Sequence, residues 1–170
     1  ALNRVLERFC PSHSDTRLLI HELSPVPDVS HALAAVGDLP GVVLFDSALP
    51  SPDLGRWSFL AADPFRWFEL PADANVSQPF DEVRSAVREF AVEPSPGLPP
   101  FIGGCAGILS YELGRCFERL PTPRENAFNF PLLAVGLYDW VLAWDLVKKQ
   151  CWLISHGFPE TGAAKERRAK

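Results

Sequence analysis

Glycine-rich loops often cradle phosphate groups, and one candidate lies in residues 100–115, PFIGGCAGILSYELGR. The pattern differs from both common phosphate motifs, because no Lys-Ser/Thr pair follows the glycines and their spacing is not G-x-G-x-x-G. A phosphate loop also needs a helix that opens directly after the glycines. Here residues 108–111 (ILSY) follow, which predicts a continuing β-strand. Glycine inside a strand is typical of a bulge or of a close approach by another backbone.

Other residue types that could carry chemistry are scattered. The sequence contains no G-x-S-x-G nucleophile elbow that could pair with His156. Asp139 and Asp145 lie six residues apart on one predicted strand, which spans about 20 Å. Paired carboxylates that share acid–base work lie about 5–10 Å apart. The cysteines and histidines show no metal-ligand spacing. We therefore predict no catalytic residue and no metal ligand in these 170 residues.

The composition indicates which class of protein this is and which partners it is suited to bind. The chain is 47% apolar and 22% charged, with a net charge of −5 and no basic stripe. These values are typical of a globular domain and argue against a nucleic-acid partner. No apolar run is long enough to span a membrane, and no signal peptide is visible. The four cysteines are interpreted as reduced thiols, mostly buried, and the expected location is cytoplasmic.

The apolar periodicity predicts an α+β fold with mainly antiparallel sheets. Strands are predicted at 17–23, 41–47, 57–62, 65–70, 132–146 and 151–155, with the glycine-rich strand at about 103–111. Helices are predicted at 27–37, 79–91 and 113–119.

Four details of these elements can be compared with a structure. Pro27 fits the first position of its helix and Gly37 the left-handed position after its end. The run 41–47 is apolar on both faces, which indicates a buried strand. Val87 shares the apolar face of the helix at 79–91. Residues 132–146 are predicted to form one long strand, bent at Gly136.

Three sequence blocks resemble a known family. Residues 99–121 (PPFIGGCAGILSYELGRCFERLP) resemble the P-P-F-x-G-G-x-x-G-x-x-x-Y-[DE]-L-G-R-x-x-E-x-L-P signature of aminodeoxychorismate synthase component I, the large subunit of para-aminobenzoate synthase. Residues 133–140 (LAVGLYDW) and 56–64 (RWSFLAADP) resemble two further blocks of that family, in the same order. The related anthranilate synthase component I shares the G-G-x-x-G-Y/F pattern, but residues 113–115 (LGR), residues 120–121 (LP) and Trp140 are more similar to aminodeoxychorismate synthase component I.

The resemblance implies a fold, and it implies that the catalytic residues lie in a separate portion of the protein. Residues 1–158 would form an N-terminal domain of the anthranilate synthase component I type, and 159–170 would begin a truncated linker helix. The fold would contain two orthogonally packed antiparallel sheets with flanking helices, an incomplete part of the chorismate-utilising synthase fold. In it Gly103, Gly104 and Gly107 would let a central strand bend and pack closely. The catalytic portion, with its magnesium ligands, would lie downstream, so no cofactor is expected here.

The resemblance also implies partners and an activity for the parent protein. With a glutamine amidotransferase subunit, the parent would convert chorismate and glutamine to 4-amino-4-deoxychorismate for folate synthesis. This part alone would be inactive, and its first partner would be the catalytic C-terminal portion of the same protein. One alternative is the tryptophan-sensing N-terminal domain of anthranilate synthase component I. A second is a stand-alone ligand-binding or interaction module.

The family further has a tryptophan pocket in this portion. Its residues would correspond here to Ser47, Leu54, Gly55, Arg56 and Trp57. The alternative is that Ser47 only ends a strand and Arg56 only packs on an aromatic ring.

A last expectation concerns surface left uncovered. Residues 132–146 are apolar on both sides, and one helical layer cannot cover both faces of such a sheet. We therefore expect an exposed apolar patch or self-association near this strand or near the glycine-rich strand.

Overall fold

The computed structural model describes residues 18–91, 96–120 and 128–160. The strands are β1 (Leu19–Glu22), β2 (Val43–Phe45), β3 (Trp57–Ala61), β4 (Arg66–Leu70), β5 (Gly104–Leu109), β6 (Leu133–Tyr138), β7 (Trp140–Asp145) and β8 (Gln150–Ser155). The helices are α1 (Val29–Val36), α2 (Asp81–Glu89) and a 3₁₀ helix (Tyr111–Cys116). The predicted helix 113–119 is therefore shifted and is of the 3₁₀ type.

The strands form two antiparallel sheets. The larger has the order β1-β8-β7-β3-β2, and the smaller has the order β4-β6-β5. Every adjacent pair is antiparallel, so the predicted α+β class is confirmed. Apolar residues from both sheets meet in a shared core that contains Ala61, Ala106, Tyr138, Val141 and Ala143.

One continuous stretch of chain joins the two sheets. The prediction of a single strand over 132–146 with a bend at Gly136 was wrong. β6 lies in the small sheet, β7 lies in the large sheet, and the break falls at Asp139. The Asp139 carbonyl accepts the His156 N–H at 2.7 Å, which fastens the break to the end of β8. The alternation of side chains changes phase at the break, because Tyr138 packs in the same core as Val141 and Ala143, whereas Leu142 and Trp144 pack on the opposite face of the large sheet.

Helix α1 covers one face of the large sheet. Its apolar residues Val29, Leu33 and Val36 pack on the core around Leu60 and Trp144.

The ends of α1 correct two predictions. Asp28 is the N-cap, and its Oδ1 accepts the N–H groups of Ser30 and His31 at 2.9 and 3.1 Å. Pro27 therefore precedes the helix instead of beginning it. Gly37 has φ −61°, so the helix ends without a left-handed residue.

Strand β2 corrects the prediction of a buried strand. It is three residues long and lies at the edge of the large sheet, paired only with β3 among the described strands. Phe45 at its end is 48% exposed. An apolar pattern on both faces therefore arose in an edge strand.

Helix α2 packs on the small sheet through Phe80 and Val83. Ala86 is its buried residue, whereas Val87 is exposed, so the predicted apolar face was wrong at that position. Acidic residues occupy its first turn, where they favour the positive end of the helix dipole.

The glycine-rich residues form β5, as predicted, but at an edge of the small sheet and not at its centre. A Cβ at Gly107 would overlap the carbonyl oxygen of Ala134 on β6, so only glycine permits this approach. A Cβ at Gly103 would lie 3.0 Å from the His156 ring. The Cβ position of Gly104 is open, so close packing does not apply there.

Cysteines and chain ends complete the comparison. Cys105, Cys116 and Cys151 are free thiols, but only Cys151 is buried and Cys105 is exposed. Cys10 and most of the predicted helix at 159–170 lie outside the described residues, and the domain boundary after 158 stays a prediction. In the described ranges, no helix is long and apolar enough to cross a membrane.

Candidate functional site

The start of β3 carries an arginine held by an ion pair. Arg56 Nε and Nη2 both donate to Asp145 Oδ2, at 3.0 and 2.6 Å. The Asp145 side chain is fully buried, whereas that of Arg56 is 33% exposed. Asp145 Oδ1 accepts the backbone N–H groups of Val147 and Lys148 at 3.1 and 2.9 Å, which closes the turn between β7 and β8.

These contacts set the charge of the pair. Burial alone would raise the pKa of Asp145, but the hydrogen bonds from Arg56 and from the backbone of Lys148 and Val147 outweigh it. They hold the pKa of Asp145 below its ordinary value of 3.8. The hydrogen bond to Asp145 likewise raises the pKa of Arg56. The pair is therefore charged at neutral pH, and its guanidinium is fixed in one position.

Ser47 lies two residues after the end of β2, and hydrogen bonds connect it to β3. Its hydroxyl donates to the Trp57 carbonyl oxygen at 2.7 Å, and its backbone N–H donates to Ser58 Oγ at 3.0 Å. Ser58 Oγ in turn donates to Asp46 Oδ1 at 2.8 Å. These bonds bring Ser47 and Trp57 together although ten residues separate them.

Aromatic rings extend this region across the sheet. The Arg56 guanidinium carbon lies 4.8 Å from the Trp57 ring centroid, a cation–π distance. The Trp57 ring stacks on Phe59 at 6.2 Å and lies 6.3 Å from Trp152 of β8. The result is a half-buried row of rings with one fixed cation at its end.

The structure therefore brings together Ser47, Arg56 and Trp57 of the predicted pocket. Gly55 lies beside them, and a Cβ there would overlap the Leu49 carbonyl oxygen, so its role is to permit the tight loop. Leu54 is 96% exposed and contributes nothing to this arrangement. Whether these residues bind tryptophan stays a prediction.

Comparison with known proteins identifies relatives that are similar to this chain in sequence. No protein-family model matches the chain. It is 32% identical over 144 residues to a protein named aminodeoxychorismate synthase component 1 from Salmonella typhimurium. That alignment covers 76% of this chain and 32% of the relative. The protein of the same name from Escherichia coli is 46% identical over 57 residues, which cover 34% of this chain and 13% of the relative. The chain is homologous to part of the component I family.

A second group within the component I family also matches. Anthranilate synthase component 1 of Arthrobacter globiformis is 28% identical over 148 residues, 78% of this chain and 28% of that protein. The chain thus spans about a third or less of the length of the relatives it matches. The predicted resemblance is confirmed.

Two grooves lie on other parts of this chain. One of about 490 Å³ is lined by residues of β4 and α2: Arg66, Phe68, Asp81, Glu82, Ser85, Ala86 and Glu89. The other, of about 400 Å³, is lined by Phe45, Phe80, Val83, Cys105, Ala106, Gly107, Leu109, Leu133 and Val135. Neither groove is lined by a residue of the predicted tryptophan pocket.

Sequence reasoning missed two residues of this region, Asp145 and Trp152. The sequence suggests Asp145 only as a partner of Asp139, although a carboxylate just before a Lys-Lys turn is a natural partner for a turn backbone. Trp152 shares one face of β8 with Ile154, but its contact with Trp57 depends on a pairing between distant strands. Within the described ranges, no group of three His, Cys, Asp or Glu side chains could hold a metal ion.

Proposed function

We propose that this chain is the non-catalytic N-terminal part of an aminodeoxychorismate synthase component 1. The observation that carries the proposal is the 32% identity across 76% of the chain to a protein of that name. The three matching blocks also have structural counterparts: β3 with its preceding Arg56, β5 with the 3₁₀ helix, and β6 with Asp139.

The parent protein, on this proposal, works with a glutamine amidotransferase subunit. Together they convert chorismate and glutamine to 4-amino-4-deoxychorismate for para-aminobenzoate and folate synthesis. The chorismate site and the magnesium ligands belong to the catalytic C-terminal portion, which is the first partner of this chain. The chain itself contributes the two sheets on which that portion packs, and it acts in the cytoplasm.

The test is a chimera in which this chain replaces the aligned 144 residues of the Salmonella typhimurium protein. We expect aminodeoxychorismate from chorismate, ammonia and magnesium with the chimera, and none with the chain alone. Product formation by the chain alone would refute the non-catalytic role. A folded chimera without any product would refute the family role.

The anthranilate alternative is supported by the match to the Arthrobacter globiformis protein. Chromatography distinguishes the two products when the full-length gene product is assayed with chorismate and ammonia. Anthranilate, with inhibition by tryptophan, would favour this second function.

We further propose that Ser47, Arg56 and Trp57 contact a tryptophan-type ligand, with Gly55 and Leu54 alongside. Arg56 has Nε and Nη2 engaged by Asp145, so Nη1 is the group that can reach a ligand carboxylate. Trp57 offers a ring face for an indole. Calorimetry on the chimera should show binding that Trp57→Leu and Ser47→Ala weaken, and Leu54→Ala should change it least. Equal affinity in all variants would exclude this site.

A further inference from the structure

His156 is buried at the point where the two sheets meet, and the candidate site does not use it. The residue is 1% exposed and directly follows the last residue of β8. Its backbone N–H donates to the Asp139 carbonyl at the break between β6 and β7. Its ring Nε2 lies 2.7 Å from the carbonyl oxygen of Ile102. Because a carbonyl only accepts hydrogen bonds, Nε2 carries the proton and donates this one.

This hydrogen bond reaches a part of the chain that cannot fix its own path. Ile102 precedes Gly103 and Gly104, whose φ values of +135° and +111° lie in the region that favours glycine. Two consecutive glycines have no side chains to restrict the backbone, so contacts from outside must select one path. A Cβ at Gly103 would lie 3.0 Å from the His156 ring and 3.1 Å from the Tyr138 carbonyl oxygen. The histidine therefore holds the start of β5 both by a hydrogen bond and by close contact.

The same ring contacts the chain that follows β8. It stacks on the Phe158 ring with a centroid distance of 5.3 Å and an interplanar angle of 5°. The Phe158 ring lies 5.3 Å from that of Phe90 at the end of α2 and 5.9 Å from that of Phe65 before β4. The rings of Phe65 and Phe90 are themselves 5.0 Å apart. This aromatic cluster holds residues 156–158, and His156 links it to the glycine-rich strand.

The three sequence blocks that resemble component I meet at this histidine. The glycine-rich block supplies Ile102, and the block that contains the sheet break supplies Asp139. The remaining block ends one residue before Phe65, which contacts Phe158. His156 itself belongs to none of the blocks. A single residue outside the blocks thus joins all three.

We propose that His156 is a positioning residue of the parent enzyme. It fixes both the path of the glycine-rich strand at Ile102 and the direction in which residues 156–158 leave β8. The inference rests on the proposed function, in which the catalytic portion follows these residues along the chain. Through its Nε2–H bond, His156 sets where that portion lies relative to the small sheet. A misplacement of about 1 Å far from the reacting atoms can lower a rate about a hundredfold.

Two substitutions separate the hydrogen bond from the ring. His156→Phe keeps a ring that stacks on Phe158 but removes the donor to Ile102. His156→Gln removes the ring, but its amide N–H can reach the same carbonyl. In the chimera with the Salmonella typhimurium protein, His156→Phe should lower kcat for aminodeoxychorismate formation at least about tenfold, and His156→Gln less than about threefold. The KM for chorismate should stay within about twofold in both, because the chorismate site belongs to the other portion.

Hydrogen exchange in the 170-residue chain tests the contact without any activity. In His156→Phe the amides of β5 should exchange at least about tenfold faster, while those of β3 keep their wild-type rates. The matched control is His31→Phe, at a side chain on α1 that is 91% exposed, and it should change neither exchange nor kcat. Rates are normalised to the folded fraction measured by circular dichroism. His156→Met, a flexible side chain without a donor, should behave like His156→Phe and replaces it if phenylalanine prevents folding.

Several results would overturn the inference. One is an unchanged kcat in His156→Phe, and another is an equal loss in His156→Phe and His156→Gln, since the hydrogen bond would then not be the positioning contact. Unchanged exchange of β5 in His156→Phe would also overturn it. An unsubstituted chimera without product would refute the proposed function alone, and the exchange of β5 would then decide whether His156 holds the strand.

Discussion

Replacing Asp145 by asparagine tests whether the buried ion pair holds the start of β3 to the end of β7. An asparagine can keep its oxygen on the Val147 and Lys148 N–H groups. Its amide nitrogen would then face the Arg56 donors, so both hydrogen bonds from the guanidinium are lost. Hydrogen bonds to charged groups are worth about 1.5–3 kcal/mol each. Because Arg56 is partly exposed and can be rehydrated, we expect Asp145→Asn to lower the free energy of unfolding by roughly 2–4 kcal/mol.

Urea denaturation followed by tryptophan fluorescence measures this loss. The matched control is Glu89→Gln, which removes the exposed ion pair to Arg66 at 3.0 Å. Exposed pairs are worth at most about 1 kcal/mol, so the control should be nearly neutral. If Asp145→Asn cost no more than Glu89→Gln, the claim that burial makes this pair important would be wrong.

The pH dependence supplies a second measurement of the same pair. The pKa of Asp145 is lower in the folded chain than its ordinary value of 3.8. A lowered pKa contributes stability that is complete above the unfolded value and is lost as pH falls through the folded one. The wild-type chain should therefore lose stability below about pH 4 more steeply than Asp145→Asn. Parallel acid limbs in the two proteins would contradict the lowered pKa.

Three further predictions concern single positions. Gly107→Ala should lower the free energy of unfolding, measured by urea denaturation, by more than about 2 kcal/mol, because a Cβ there overlaps the backbone of β6. The control Gly114→Ala meets only the tip of a side chain and should cost less than half as much. In a Tyr111→Phe background, the phenolate absorbance should report Tyr138 alone, with burial raising its pKa to about 12; a midpoint near 10 would contradict its burial. Burial likewise raises the pKa of the Cys151 thiol to about 12, so alkylation followed by mass mapping should leave Cys151 unmodified until the chain unfolds.

Local patterns predicted the elements of this fold well. Short apolar runs located β1, β3, β4 and β8, the run 132–146 located β6 and β7 as one strand, and helical periodicity located α2. The glycine-rich run was correctly read as a strand because its flanks continue the extended pattern. These features depend on neighbours along the chain, which the sequence displays directly.

Pairing between distant strands accounts for most of what was missed. The edge position of β5, the short exposed β2 and the transfer from β6 to β7 all depend on which strands lie side by side. The same holds for the candidate site: Ser47, Arg56 and Trp57 came from a family resemblance, while Asp145 and Trp152 join them only through the β3-β7-β8 pairing. The error at Pro27 has a local cause, since Asp28 caps the helix in preference to the neighbouring proline.

The pairing of β1 with β8 has a consequence for synthesis on the ribosome. Gln150 on β8 donates a hydrogen bond to Glu22 on β1, across 128 residues of sequence. At about 5–20 residues per second, the nascent β1 strand waits roughly 6–26 seconds before its partner is translated. During that interval Leu19 and Ile20 have no partner strand, so β1 stays unpaired for longer than any later strand.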